Sequence, residues 1–416
     1  MQPTSTPGEI LARKEQYYPR NFISLMFESF FFSSALTLFS TESVLPVYVS
    51  HLSAEPFWLS LIAVINYGVS YAASFFSCVI GVNAKSPKWT SVRICFLQRI
   101  GFFLILLSTM MAGGSTGAAL AVFFVSLTLY SLSAGMSTPL FVQMVSTSIH
   151  RNVGTFYGAY TLVGAGSGVL ATLVLTRCLE KYRFPENFRW IFLFGLLAAL
   201  VATAVVSIGV REVTDDRQPA HISLGDVLPM MRNVLKNNRR FRNYALVRML
   251  MGAAEFAIPY YIVAAGALPG LPDGFVGKMA TLFLVSKMAA SLLLGRLGDR
   301  FGATRVLQVS CVCGVGAALL AITMRGPWSA AAMYALLAAA TDGIYMSTSV
   351  ASATYGSAQE TPVYMATVSL MCAPLYILAS FGGALVAKIF TVNGVFAVAL
   401  AAYLTGALLI FRLREQ

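Results

Sequence analysis

Twelve stretches of this chain are apolar for at least 21 residues each, and that pattern restricts the fold more than any other feature. They run over roughly 22–50, 56–81, 91–112, 116–145, 153–177, 188–210, 242–266, 273–295, 303–324, 328–355, 361–388 and 392–412. A helix rises ~1.5 Å per residue, so about 20 residues cross the ~30 Å hydrocarbon core of a bilayer. Inside that core every backbone N–H and C=O must be satisfied within the segment, which leaves helices as the form for such runs. The chain is therefore expected to be an all-α membrane protein with twelve transmembrane helices. Its composition agrees, because only 11% of residues are charged where soluble domains carry about 25%.

The net charge of +12 would point to nucleic acid in a soluble chain. Here it follows the positive-inside bias of short loops, and no nucleic-acid partner is expected. With the amino terminus inside, the cytoplasmic segments hold 19 Lys/Arg and the external ones seven. That asymmetry predicts both termini in the cytoplasm and residence in the cytoplasmic (inner) membrane as a multi-pass protein. No Asn-x-Ser/Thr acceptor occurs, and the six cysteines fall in or beside apolar runs as packing thiols. Only three histidines are present, at 51, 150 and 221, without zinc-type spacing or a nucleophile–base arrangement. No enzyme chemistry, metal or cofactor is expected.

The longest hydrophilic segment divides the spans six and six. Residues 1–21 form a cytoplasmic tail, 22–210 a first six-helix bundle, 211–241 a linker and 242–416 a second bundle. Within the linker Leu224, Val227, Leu228, Met231, Val234 and Leu235 recur at helical spacing, followed by Lys236, Arg239 and Arg240. It is expected to lie on the inner leaflet as an amphipathic helix, with Ser223 and Asp226 pairing at its start. The halves also echo each other. Arg20-Asn21-Phe22 opens the first span and Arg242-Asn243-Tyr244 the seventh, while Gly81 ends the second and Gly295 the eighth. Two bundles related by duplication are the implied organisation.

Between spans eight and nine stands Gly295-Arg-Leu-Gly298-Asp299-Arg300-Phe-Gly302-Ala-Thr-Arg305, which reads as a short basic turn. Its glycines permit close helix approach and backbone angles that other residues avoid. The order resembles the signature loop of the major facilitator superfamily of secondary transporters, with Ala303 and Thr304 where that family often has basic residues. The resemblance covers the whole chain in topology and this one loop in motif. It implies two rocking bundles around a midplane site, and a carboxylate at Asp299 that meets the start of span five beside Arg151. In the first half Lys85 occupies the corresponding position and Glu360 faces it at the start of span eleven. The two charges read as exchanged together, preserving an attractive latch on both sides.

Charged residues within a span are costly, so each calls for a reason. Arg99, Arg248 and Lys287 lie within snorkelling reach of the cytoplasmic ends of their helices. Lys287 is the foremost of these, since the resemblance places the eighth span on the cavity, whereas Arg99 sits on a peripheral span. Asp342 and Glu255 fall near the bilayer midplane, with Glu28 shallower. A carboxylate that is wet and dry in turn exchanges a proton, which makes Asp342, then Glu255, then Glu28 the proton-coupling candidates. Arg248 and Glu255 share a helix face but lie ~10 Å apart along it, too far for direct pairing. Asn66, Tyr67, Tyr130, Ser137, Tyr260 and Tyr345 complete the substrate-cavity candidates with Lys287 and Arg248.

These residues predict a proton-coupled secondary transporter of a small organic molecule, working as a monomer by alternating access and leaning to efflux. The competing readings are an importer of anionic metabolites using Lys287 and Arg248, a lipid flippase, and a transporter-like sensor. Span five lacks the Gly-Pro motif of the family's antiporters. The absence of G-x-x-x-x-G-K-[ST] argues against an ATP-driven pump.

Overall fold

The computed structural model describes residues 7–41, 44–53, 58, 61–62, 64–213, 221–266, 268 and 275–412. Its regular structure is all helical, without a strand among the described residues. The helices are α1 (Pro7–Leu38), α2 (Val44–Leu52), α3 (Ser70–Val82), α4 (Pro87–Met111), α5 (Thr116–Ser148), α6 (Val153–Lys181), α7 (Glu186–Gly209), α8 (Leu224–Asn237), α9 (Arg239–Ala254), α10 (Ile258–Gly266), α11 (Phe275–Phe301), α12 (Ala303–Thr323), α13 (Pro327–Thr354) and α14 (Thr361–Arg412). Eight helices, counted among the described residues, are long and apolar enough to cross a membrane. This is a multi-pass membrane protein.

The residues form two compact units. Unit 1 comprises Met1–Arg151, Val163–Val227 and Ala358–Ala366; unit 2 comprises Asn152–Leu162, Leu228–Ser357 and Thr367–Gln416. Each takes a short piece from the other half of the sequence. In unit 1, α4 packs on α5, α3 on α5, and α1 on α7. In unit 2, α12 packs on α13 and α11 on α13. The pairing of spans three with four and two with four thus recurs as nine with ten and eight with ten.

Unit 1 is centred on aromatic rings. Phe39 stacks on Phe102 at 4.1 Å and on Phe192 at 5.0 Å between ring centres, and Tyr48 donates to or accepts from Ser108 at 3.0 Å. The ends of α1, α4 and α7 converge there, so large buried rings fix their spacing. Arg20 closes the far end by donating to the carbonyls of Ile208 and Gly209 at 2.9 and 2.8 Å, which would otherwise be unsatisfied at the terminus of α7.

Several helices depart from the expected runs, each for a local reason. The seventh span breaks at a 3₁₀ turn over Glu255–Ala257. Pro259 has no N–H to give the Glu255 carbonyl, and the Ile258 N–H takes that carbonyl instead. The second span contains a π turn at Val64–Val69. The basic turn after span eight is mostly helix, since α11 continues through Phe301 and only Gly302 leaves it, with φ +80°. Glycine alone adopts that angle without a Cβ penalty.

α14 joins the two apolar runs expected at 361–388 and 392–412 into one helical segment of 52 residues. It nevertheless folds back. Cys372 Sγ lies 3.7 Å from the Arg248 carbonyl oxygen, and Gly406 abuts Val247 and Met251 on the same stretch of α9. Thirty-four residues of straight helix would separate those positions by ~50 Å. Phe396 meets Tyr261 at 4.8 Å between ring centres, so the returning leg runs antiparallel to α9 and α10.

Candidate functional site

Unit 2 gathers most of the charged residues singled out in the spans. Asp342 on α13 is fully buried, and neither of its carboxylate oxygens has a hydrogen-bond partner. Lys287 Nζ on α11 stands 3.9 Å from Asp342 Oδ1, with its own side chain one-third exposed. This is an ion pair at its outer limit of distance. A dry interior and one loosely held cation are the conditions in which a carboxylate exchanges a proton as hydration changes.

The second pair is Arg248 on α9 and Glu255 at the 3₁₀ turn, 3.1 Å apart. Their ~10 Å axial separation was expected to keep them from pairing, and the structure corrects that. Side chains on a helix lean toward its amino terminus, so Glu255 reaches back while the long guanidinium reaches forward. Arg248 Nε also donates to Thr348 Oγ1 at 3.2 Å, and the Tyr244 hydroxyl contacts Ser347 Oγ and Thr348 Oγ1 at 3.0 and 3.2 Å. Both pairs thus touch α13, at positions six residues or ~9 Å apart along it. Tyr345 is exposed, and Tyr260 is half-buried.

The basic turn makes its own arrangement within unit 2. The amides of Gly154 and Thr155, at the start of α6, donate to Asp299 Oδ1 and Oδ2 at 2.5 and 2.7 Å. A carboxylate at a helix N-terminus meets unpaired N–H groups and the positive end of the dipole. Close packing makes this possible: a Cβ at Gly295 would lie 2.6 Å from the Gly154 carbonyl oxygen, and one at Gly154 would lie 2.8 Å from the Asp299 nitrogen. Gly158 meets the Ser291 carbonyl in the same way. Gly298 is buried next to Val306, and the Arg300 guanidinium sits 5.1 Å over the Phe301 ring. Thr304, where a basic residue was the expected pattern, shares a 2.8 Å hydrogen bond with Tyr355.

Arg151 has a different partner from the one expected. Within unit 1 it pairs with Glu15 at 3.5 Å and lies 4.7 Å over the Tyr18 ring, while His150 Nε2 meets Glu15 at 2.9 Å. Lys85 is exposed. Gln143 donates to the Gly81 carbonyl at 2.9 Å and to the Gln359 carbonyl at 3.4 Å.

The remaining unit 1 candidates divide. Glu28 and Arg99 are both buried and line one small, mainly apolar pocket with Ser91, Cys95, Phe141 and Thr203. Arg99 was expected to snorkel; instead it donates to the Ala199 carbonyl at 3.1 Å, the Cys95 carbonyl at 3.2 Å and Gln98 Oε1 at 2.6 Å. Phe32 covers its guanidinium at 4.9 Å. Tyr130 stacks on Phe102 at 5.1 Å, and Ser137 donates to its own helix at Ala134. Asn66, on the π turn, donates to Thr41 Oγ1 at 3.4 Å. The Tyr67 side chain lies outside the described residues.

Sequence reasoning missed Glu212. Its carboxylate takes the Ser86 hydroxyl at 2.6 Å, the Lys88 amide at 3.1 Å and the Thr147 hydroxyl at 3.3 Å. It thereby closes the start of α4 as Asp299 closes the start of α6. The only signal was an acidic residue directly after the sixth span. The six cysteines are free thiols, and no cluster of metal-ligating side chains occurs among the described residues.

No protein-family model and no curated protein matches the sequence. Solved structures do. The human organic anion transporter MFSD10 (TETRAN) superposes with a TM-score of 0.74 at 14% identity, covering 94% of this chain and 99% of that one. The E. coli fucose:proton symporter FucP gives 0.74 at 14%, covering 96% and 100%. The proton:xylose symporter XylE, of the major facilitator superfamily, gives 0.65 at 13%, covering 96% of each. The chain has the major facilitator fold.

Proposed function

We propose that the protein is a secondary active transporter of a small organic molecule that couples transport to protons by alternating access, with Asp342 as the proton carrier. The observation that carries this reading is the Lys287–Asp342 pair: a fully buried carboxylate without hydrogen bonds, held loosely by a cation that is itself partly accessible. Charge inside a membrane helix bundle marks a substrate or proton path by default. Two solved structures that share the fold are of proton symporters, which supports the coupling without naming a substrate here. Glu255, tied to Arg248 at 3.1 Å, is the second candidate carrier, and Glu28 the third. The direction is proposed as efflux and the location as the cytoplasmic membrane.

A second reading rests on the cations Lys287 and Arg248. An anionic substrate would replace Asp342 as its partner, and the protein would then take up anionic metabolites with Arg248 assisting. The test for both is substrate-evoked proton flux in proteoliposomes, screened over pooled organic molecules, with Asp342→Asn, Glu255→Gln and Lys287→Gln in parallel. Proton flux lost in Asp342→Asn with binding retained supports the first reading. Binding of anions lost in Lys287→Gln, with proton flux intact for other substrates, supports the second. Substrate binding without proton flux in the wild type overturns proton coupling.

A further inference from the structure

A groove of about 450 Å³ follows the end of α11 and the start of α12, wholly within unit 2. Leu297, Phe301, Val309 and Val312 form its apolar walls, with Phe301 and Val312 more than half exposed. Arg305 and Gln308 form its polar end. Arg305 lies in the first turn of α12, and Val312 is seven residues or ~10 Å deeper along the helix. The groove therefore begins at the membrane boundary and runs into the hydrocarbon zone.

Gln308 is the informative side chain. It is 3% exposed, its Oε1 accepts from Arg305 at 3.0 Å, and its Nε2 has no partner. The Arg305 bond fixes the amide orientation, so the free group is the NH2 and not the carbonyl. A buried donor calls for an acceptor, and the guanidinium beside it favours an anionic one. The same turn carries Arg296 and Arg300. Its one carboxylate, Asp299, is already engaged by the Gly154 and Thr155 amides. Among the described residues the polar end is thus positive with no free carboxylate beside it, while the rest of the groove is walled by hydrocarbon.

We propose that this groove binds one anionic phospholipid, with the phosphate on Arg305 and Gln308 and an acyl chain along Val309 and Val312. The lipid comes from the leaflet that the basic turn faces. Its chain fills apolar surface that water cannot satisfy, and its phosphate takes the orphaned Gln308 NH2. The site is separate from the Lys287–Asp342 pair and independent of which substrate is carried.

The experiment is native mass spectrometry of the delipidated full-length protein, titrated with phosphatidylglycerol and phosphatidylcholine of matched chains. Wild type retains one phosphatidylglycerol about tenfold more strongly than phosphatidylcholine, the scale of one charge-assisted hydrogen bond. Gln308→Leu and Arg305→Gln each bring phosphatidylglycerol down to the phosphatidylcholine level. Val312→Trp, a surface change that fills the groove without touching the polar end, displaces the lipid as well. Lys236→Gln, on the exposed basic face of α8, leaves retention unchanged. Equal retention of the two lipids overturns the proposal, as does retention unaltered by both Gln308→Leu and Val312→Trp. Displacement by millimolar inorganic phosphate would overturn it too, since the acyl chain would then contribute nothing.

Discussion

Asp299 caps α6 through the amide of Gly154 at 2.5 Å, and the contact depends on two helices that approach backbone to backbone. The carboxylate is supplied by the last turn of α11, and the glycine by the first turn of α6. Both belong to unit 2, although 145 residues separate them in the chain.

Asp299→Asn removes the charge but keeps one acceptor, so it costs about 1 kcal/mol from the helix dipole and a weakened hydrogen bond. Gly154→Val is more severe, because its Cβ runs into the Gly295 carbonyl. Thermal unfolding of the purified protein in detergent is expected to rank the variants wild type, Asp299→Asn, Gly154→Val. Equal midpoints for all three would show that the cap and the glycine contact contribute nothing.

The Lys287–Asp342 pair predicts a sign pattern. Lys287→Gln leaves a buried carboxylate without its cation and destabilises by up to ~3 kcal/mol, the lower end for a broken buried pair. Adding Asp342→Asn removes that uncompensated charge and recovers most of the loss. Denaturation midpoints of both single variants and the double variant test this, and a double variant less stable than Lys287→Gln would contradict it.

Arg248 and Glu255 are expected to couple energetically. A double-mutant cycle with Arg248→Gln and Glu255→Gln gives an interaction of about 1 kcal/mol or more, as contacting charged residues in one network do. Additive effects would mean that the 3.1 Å contact carries no net energy.

The linker offers a pH test outside the membrane. The Ser223 amide and hydroxyl donate to Asp226 at 2.8 and 2.7 Å. The amide bond first, then the hydroxyl, hold its carboxyl below the ordinary value of 3.8. A depressed carboxyl pKa stabilises the folded start of α8 above the unfolded value, and that stabilisation disappears as pH falls through the folded one. Amide-exchange protection of the first turn of α8 is therefore expected to be full at neutral pH and to fall below the usual carboxylate range. Asp226→Asn flattens the profile, and a wild-type profile without that step would refute the assignment.

Arg99 is expected to resist conservative replacement. Its guanidinium donates to two carbonyls and Gln98 beneath Phe32, a fork that an ammonium cannot reproduce. Arg99→Lys costs about 2 kcal/mol through an unmade buried hydrogen bond, read as a lower unfolding midpoint. Wild-type stability would restore the snorkelling reading.

Much of the architecture was legible because it is local. Apolar length marks a membrane helix whatever surrounds it, and the fold-back of α14 preserves the two runs read at its ends. Gly295 and Gly302 announced a close approach and a positive φ. Ser223 and Asp226 announced a cap, since a capping pair spans only three residues. The candidate site was legible in residue type more than in pairing. Asp342 and Lys287 stand out because charge is rare in such spans, yet 55 residues of chain separate them and no spacing rule joins them.

The sequence by itself determined that the chain is a bundle of membrane helices, where its basic turn lies, and which intramembrane charges require a partner. Tertiary structure alone decided the partners. It assigned Arg151 to Glu15, Arg99 to the interior, Glu212 to the start of α4, and the Gln308 amide to a groove with no acceptor among the described residues. The physical reason is range. Hydropathy and capping act over a few residues, whereas a buried ion pair or hydrogen bond depends on which distant helices the packing of glycines and rings brings within about 3 Å.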